Sequence, residues 1–229
     1  MLHLYSWPTP NGHKIHIMLA ELGVPYQLHP VNIMKGQQLT PDFLKINPNN
    51  KIPVLVDEGD TTSKTITIFE SGAILFYLGE KYQKFLGQNT SGKYQILQWL
   101  MFQMSGLGPI LGQTHHFRHY APQPVIYGIE RFTKEAKRLY QVLDKQLQQT
   151  PFLAGDYSIA DMAAFPWVRL WQKQGQQIAD FPHVKRWLET IEQRPAVQQG
   201  LQVMTEFADQ LPKPAAWTNQ FYQENRQLT

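Results

Sequence analysis

The sequence predicts two domains of different class: a small α/β domain, then an all-helical one. Three observations predict it: strand-like and helix-like pieces alternate over residues 1–82, a polar connection occupies 83–92, and strand signal is nearly lost over 93–229. In the first part, Leu2–Ser6 is a short extended run stopped by the turn-rich Pro8-Thr9-Pro10-Asn11-Gly12. Ile15, Met18, Leu19 and Leu22 then recur at i, i+3, i+4 and i+7, one apolar helical face that Gly23 closes. Residues 26–31 read as a second strand, weakened near its end by Pro30. Thr40 caps a helix with Pro41 at its first position. A turn at 47–50 leads through Ile52-Pro53 into the apolar Val54-Leu55-Val56. A polar hairpin-like stretch (58–64), a strand (65–69) and a helix with Ile74, Leu75 and Leu78 on one face complete a β-α-β-α-β-β-α order, hence a mixed sheet covered by helices.

The helical part opens with Tyr94, Leu97 and Trp99 on a long helix interrupted around 106–112. Residues 127–147 keep helical spacing. Ser158-Ile159-Ala160-Asp161 is a capping-box pattern, imperfect because Glu or Gln reaches back better than Asp. It leads into a helix at 162–171. Pro182 opens another, with Val184, Trp187, Leu188 and Ile191 on one face. Beyond Leu211 the chain is Pro- and Gln-rich, expected to lie along the surface.

Composition narrows the function. The 229 residues contain no cysteine, which excludes disulfides, Cys-ligated metal and a cysteine nucleophile. Any thiol chemistry therefore needs sulfur from a bound small molecule. A formal net charge of +3, from scattered basic residues, argues against a nucleic-acid surface. No run approaches the ~18 apolar residues of a membrane span, and the N-terminus lacks a basic region followed by an apolar stretch. The expectation is a cytoplasmic chain with neither nucleic-acid nor membrane partners.

Three strand–helix junctions are candidates for chemistry. At Pro8–Gly12 a helix N-terminus, with Thr9 and Asn11 beside it, would stabilise an anion; the same residues also suit an ordinary capped turn. Ile52-Pro53 is either a cis-proline turn offering backbone to a peptide-like ligand or a trans proline that starts a strand. At Phe69-Glu70-Ser71-Gly72-Ala73, Ser71 is expected to cap the helix and Glu70 to hold an ammonium group. Capping and surface exposure alone would also explain the pair.

Together with their order, these segments resemble the glutathione transferase superfamily: a thioredoxin-like glutathione-binding domain followed by a helical bundle. Pro8–Lys14, the 47–53 turn and 69–74 look like the Nu class, which includes bacterial glutathione-dependent disulfide-bond oxidoreductases and a related yeast nitrogen regulator. Gly106-Leu107-Gly108-Pro109, Gly112-Gln113, His115-His116-Phe117 and Ile129-Glu130-Arg131 follow in the expected order. The resemblance implies that Glu70 and Ser71 hold the γ-glutamyl end of glutathione, and that the Ile52 backbone, before a cis Pro53, pairs with its cysteinyl unit. Lys51 and Gln38 would reach the glycyl carboxylate, Thr9 and Asn11 would face the sulfur, and Arg131 would meet a carboxylate of a second glutathione. Tyr5 and Ser6 are rival thiol activators, although Tyr5 is expected to pack in the sheet.

The resemblance further implies a homodimer using one or two glutathiones, or glutathione disulfide, per subunit to reduce small disulfides, with weak transferase or peroxidase activity beside it. A conjugating transferase acting on electrophilic carbon is the alternative. A non-catalytic regulator or ligand carrier is a further one; the regulator carries an Asn/Gln-rich extension before the fold, whereas this chain begins at its first strand. No metal is expected: His115, His116 and His119 have no carboxylate near them in sequence. His13 and His16 read as partly exposed, and Trp99, Trp167, Trp171 and Trp187 as core or pocket wall.

Overall fold

The computed structural model describes residues 1–59 and 64–218. The elements are β1 (Leu2–Ser6), α1 (Pro10–Leu22), β2 (Gln27–Pro30), α2 (Pro41–Ile46), β3 (Val54–Asp57), β4 (Ile66–Phe69) and α3 (Ser71–Tyr82). After them come α4 (Thr90–Phe102), α5 (Gly108–His115), α6 (Ile126–Leu147), α7 (Ile159–Val168), α8 (Pro182–Glu192) and α9 (Pro195–Gln202). The chain divides into two compact units, Met1–Gln88 with Glu192–Leu211, and Asn89–Ile191 with the described residues from Pro212 on.

In the first unit the expected β-α-β-α-β-β-α order forms a four-stranded mixed sheet, β2-β1-β3-β4. β1 is parallel to β2, which requires a crossover, supplied by α1; β3 is antiparallel to both β1 and β4. Pro30 fits because β2 is an edge strand. The hairpin expected at 58–64 lies partly outside the described residues. Leu2 and Leu4 alternate with His3 and Tyr5 along β1, so the strand is apolar on its buried side. The helices α1 and α3 pack on each other and bury Ile15, Met18, Leu19, Ile74, Leu75 and Leu78. Tyr5 packs on a separate cluster of Val31, Phe43 and Val54 and stacks on His29 at 4.5 Å.

Helix α9 returns to this unit and crosses α1 so closely that a Cβ on Gly200 would lie 2.7 Å from the Ile17 Cα. Arg194 clamps Glu21 with two hydrogen bonds of 2.6 and 2.9 Å, and Phe207 stacks on Trp7 at 4.9 Å. This packing corrects one expectation: His16 is only 1% exposed, and burial, helped by the neighbouring His13, pushes its pKa down to about 3.

In the second unit the winding continues through 106–112, where an interruption was expected. Wide π turns at Gln103–Leu107 and His116–Tyr120 absorb the irregularity without breaking the helix. The capping box forms in full: Asp161 Oδ2 accepts from the Ser158 N–H at 3.0 Å, close enough despite the short side chain. Helix α7 ends at Val168, before the expected 171, and a short 3-10 turn (Trp171–Gln174) follows. Trp187 is fully buried, whereas Trp99, Trp167 and Trp171 are half-buried. The described residues after Leu211 pack onto the second π turn, where the Trp217 indole N–H donates to the Ala121 carbonyl at 2.8 Å.

Candidate active site

Strand register brings the three junctions together. Tyr5 pairs with Val54 and Val54 with Phe69, so the end of β1, the start of β3 and the end of β4 lie at one end of the sheet. Trp7–Gly12, Ile52-Pro53 and Glu70-Ser71 all lie at that end.

At the first junction Thr9 is the N-cap of α1; its hydroxyl oxygen accepts from the Gly12 N–H at 3.3 Å. The hydroxyl proton remains available to donate elsewhere. Asn11 is the second helical residue, inside the helix that Thr9 caps. Gly12 is required here because a Cβ would come 2.1 Å from the Trp7 carbonyl oxygen. The first turn carries no acidic residue, so nothing on it neutralises the positive helix end.

At the second junction the Ile52–Pro53 bond is cis. Asn47 shapes the approach: its Oδ1 accepts from the Asn49 N–H at 2.8 Å, and its Nδ2 donates to the Lys51 carbonyl at 2.6 Å. Among the described residues the Ile52 main chain has no hydrogen-bond partner, which suits pairing with an extended peptide. Lys51 is exposed. The Gln38 amide nitrogen donates to the Ile33 carbonyl at 3.3 Å, within its own turn.

The third junction corrects an expectation. Glu70, not Ser71, occupies the N-cap position of α3, and its side chain makes no capping bond. Its φ of 70° and ψ of 116° put a non-glycine residue in a sparsely populated region, costing about 1–3 kcal/mol. The carboxylate is exposed and is not used to cap the helix. Ser71 is the first helical residue, buried, and its hydroxyl accepts from Lys14 Nζ at 3.1 Å. Lys14 was not singled out in the sequence. It stands three and four residues before Ile17 and Met18, at the head of α1's apolar stripe, and that spacing was the available signal.

The second unit carries Arg131, exposed on α6, beside a concavity of about 740 Å³ that Ile110, Tyr127, Glu130 and Lys134 also line. The His115 and His119 rings meet edge to face at 6.4 Å, but the three histidines do not form a metal-binding group. His115 is buried against the Gln174 amide at 3.2 Å, and burial, reinforced by nearby positive groups, pushes its pKa down to about 3. Gln174 is fixed by the Trp167 carbonyl (2.8 Å) and the Tyr140 hydroxyl (2.6 Å), so His115 belongs to a structural polar core. His119 Nε2 donates to the Lys173 carbonyl at 2.7 Å. Among the described residues no group of three or more His, Asp or Glu gathers as metal ligands do, and no helix is long and apolar enough to cross a membrane.

A thioredoxin-like sheet with a cis-proline strand entry, followed by a helical domain, is the architecture of the family that the comparisons show. Residues 1–80 match the glutathione S-transferase N-terminal domain and 130–195 its C-terminal domain. The chain belongs to the glutathione S-transferase family, with the Nu-class disulfide-oxidoreductase type. It is 50% identical to the disulfide-bond oxidoreductase YfcG of Escherichia coli, over 88% of this chain and 94% of that one. A glutathione transferase structure from Burkholderia graminis, with two glutathione molecules bound per subunit, superposes with a TM-score of 0.85 at 44% identity, covering 89% of this chain and 88% of that one. Another from Pseudomonas putida, with one glutathione disulfide per subunit, gives 0.84 at 43% identity, covering 89% and 91%.

Proposed function

We propose that this protein is a glutathione-dependent disulfide oxidoreductase in which the thiolate of bound glutathione is the nucleophile. One observation carries the reading: three strand–helix or strand-entry junctions meet at one end of the sheet in a chain with no cysteine. Glu70 takes the α-ammonium group of glutathione, and Ser71 at the start of α3 its α-carboxylate. The Ile52 backbone beside Pro53 pairs with the cysteinyl unit, and Lys51 and Gln38 reach the glycyl carboxylate. Thr9 and Asn11 face the sulfur. Lowering a thiol pKa by ~2 from ≈ 8.5 takes ~2.7 kcal/mol. A helix N-terminus supplies about 0.3–2 kcal/mol and one hydrogen bond to a charged group about 1.5–3, so no internal base is required.

The thiolate attacks one sulfur of the substrate disulfide, forming a glutathione mixed disulfide and releasing the other half as a thiolate that takes up a proton. A second glutathione thiolate then attacks the glutathione sulfur, giving glutathione disulfide and the second substrate thiol. Arg131 is the proposed partner for a carboxylate of that second glutathione. The bound states seen in the Burkholderia and Pseudomonas relatives, two glutathiones and one glutathione disulfide, are the two ends of this sequence. A cytoplasmic setting fits, since reduced glutathione is consumed.

Disulfide reduction is expected to survive treatment with a thiol-alkylating reagent once the reagent is removed and fresh glutathione supplied. Inactivation that fresh glutathione cannot reverse would assign the chemistry to another residue. We also propose a homodimer, supported by exposed apolar side chains on both units, Ile66 and Phe69 on one, Met101, Ile126 and Tyr127 on the other. Sedimentation equilibrium at micromolar concentration is expected to return twice the 26.6 kDa chain mass; a monomer would refute it.

A further inference from the structure

Lys14 is a cation in an adverse place. Its side chain is 1% exposed, and its Nζ donates to the Ser71 hydroxyl at the N-terminus of α3, where the helix dipole also presents positive charge. Burial pulls its pKa down to about 7, with the attraction of the neighbouring Glu70 opposing. Glu70 is the charged group that faces it from α3. The next ionisable side chains on that helix, Tyr77, Glu80 and Lys81, begin six residues on, ~9 Å along the axis. Helix α9, which also packs on α1, carries no ionisable residue. On α1 itself the nearby titratable groups are His13 and His16, and His16 is neutral.

On the glutathione reading given above, ligand binding changes this balance. The ligand's ammonium group engages Glu70, and its α-carboxylate arrives at Ser71, next to the hydroxyl that Lys14 already holds. We propose that Lys14 is a positioning residue that senses the γ-glutamyl carboxylate through Ser71, and that binding recruits a proton onto its amine. The arriving anion favours the ammonium form, so the bound group holds its proton to higher pH than the free one. Affinity for γ-glutamyl ligands is therefore flat well below neutrality. It declines above about pH 7, where the proton must be supplied at the moment of binding.

The test uses S-methylglutathione, which keeps the γ-glutamyl end and has no thiol proton to confuse the count. Titration calorimetry of the intact protein in buffers of different ionisation enthalpy measures proton uptake. Uptake is expected to be a clear fraction of a proton at pH 7.5 and to fall towards none as the pH drops well below 7, where the free amine already holds its proton. Lys14→Met should abolish the uptake and weaken binding at pH 6 several-fold, because the positive charge behind the Ser71 hydroxyl is lost. Lys14→Arg, permanently charged, should bind without uptake and with little dependence on pH. Normal binding by the unmodified protein with no uptake at pH 7.5 would overturn the Lys14 proposal and leave the glutathione reading standing, as would uptake that persists in Lys14→Met. Failure of S-methylglutathione to bind, or unchanged binding by Glu70→Gln, would instead overturn the glutathione reading and the proposal with it.

Discussion

Asp161→Ala is expected to lower stability by about 3–5 kcal/mol, because each buried donor left unsatisfied costs about 1–3 kcal/mol and local relaxation recovers part. Asp161 is fully buried and accepts from the Leu153 N–H (3.0 Å), the Trp187 indole N–H (2.9 Å), the Ser158 N–H (3.0 Å) and the Ser158 hydroxyl (3.2 Å). Burial pushes its pKa up to about 6 against these four bonds, so the carboxylate is ionised at neutral pH. One side chain thus joins the loop before α7, the start of α7 and the face of α8. Trp187→Phe removes one donor and leaves the others paired, so it should cost less, about 1–2 kcal/mol. Chemical denaturation of the three proteins checks the order. A loss below about 1 kcal/mol for Asp161→Ala would mean that the box is not what holds this corner.

The second large effect is catalytic. In the proposed site Thr9 and Asn11 act where negative charge sits on sulfur, so losing either donor should cost about 1.5–3 kcal/mol, roughly ten- to a hundredfold in kcat/KM at neutral pH. Thr9→Ala should also lose about 1 kcal/mol of stability, because Thr9 is the helix cap; Asn11→Ala should not, because Asn11 is inside the helix. A thermal melt separates the two losses, and Thr9→Ser should recover both. Glu70→Ala should behave differently: contacts at the peptide end of glutathione are alike in ground and transition states, so KM for glutathione rises while kcat changes little. Tyr5→Phe and Ser6→Ala are the controls. Should either abolish activity while the Thr9 and Asn11 variants stay near normal, a tyrosine or serine mechanism takes their place.

Local pattern made much of the secondary structure in both units readable. The i, i+3, i+4, i+7 stripe from Ile15 to Leu22 and the capping pairs at Thr40-Pro41 and Ser158/Asp161 are all short-range signals, and all formed. What periodicity could not carry was the partner of each face. Nothing local says that α9 folds back on α1, so His16 read as partly exposed, although it lies beneath that crossing. Nor does a capping pattern distinguish Glu70 from Ser71, since the choice rests on the positive φ that Glu70 adopts between β4 and α3. At 106–112 glycine and proline suggested a break, yet a π turn keeps the winding continuous. For the site, the three junctions were visible as turn chemistry, and register explains why they meet. Lys14 stayed hidden because a lysine at the head of an apolar stripe usually reaches solvent.

In the proposed mechanism, glutathione held at the α1 N-terminus carries the reactive thiolate. The most direct measurement is a pH titration of the thiol of bound glutathione, followed by the ultraviolet absorbance of its thiolate. The predicted result is a bound pKa about 2 below the free thiol's ≈ 8.5, rising again by about 1–2 in Thr9→Ala and Asn11→Ala and unmoved in Tyr5→Phe and Ser6→Ala. A bound thiol that titrates like the free one, or whose shift disappears only with Tyr5 or Ser6, would contradict it.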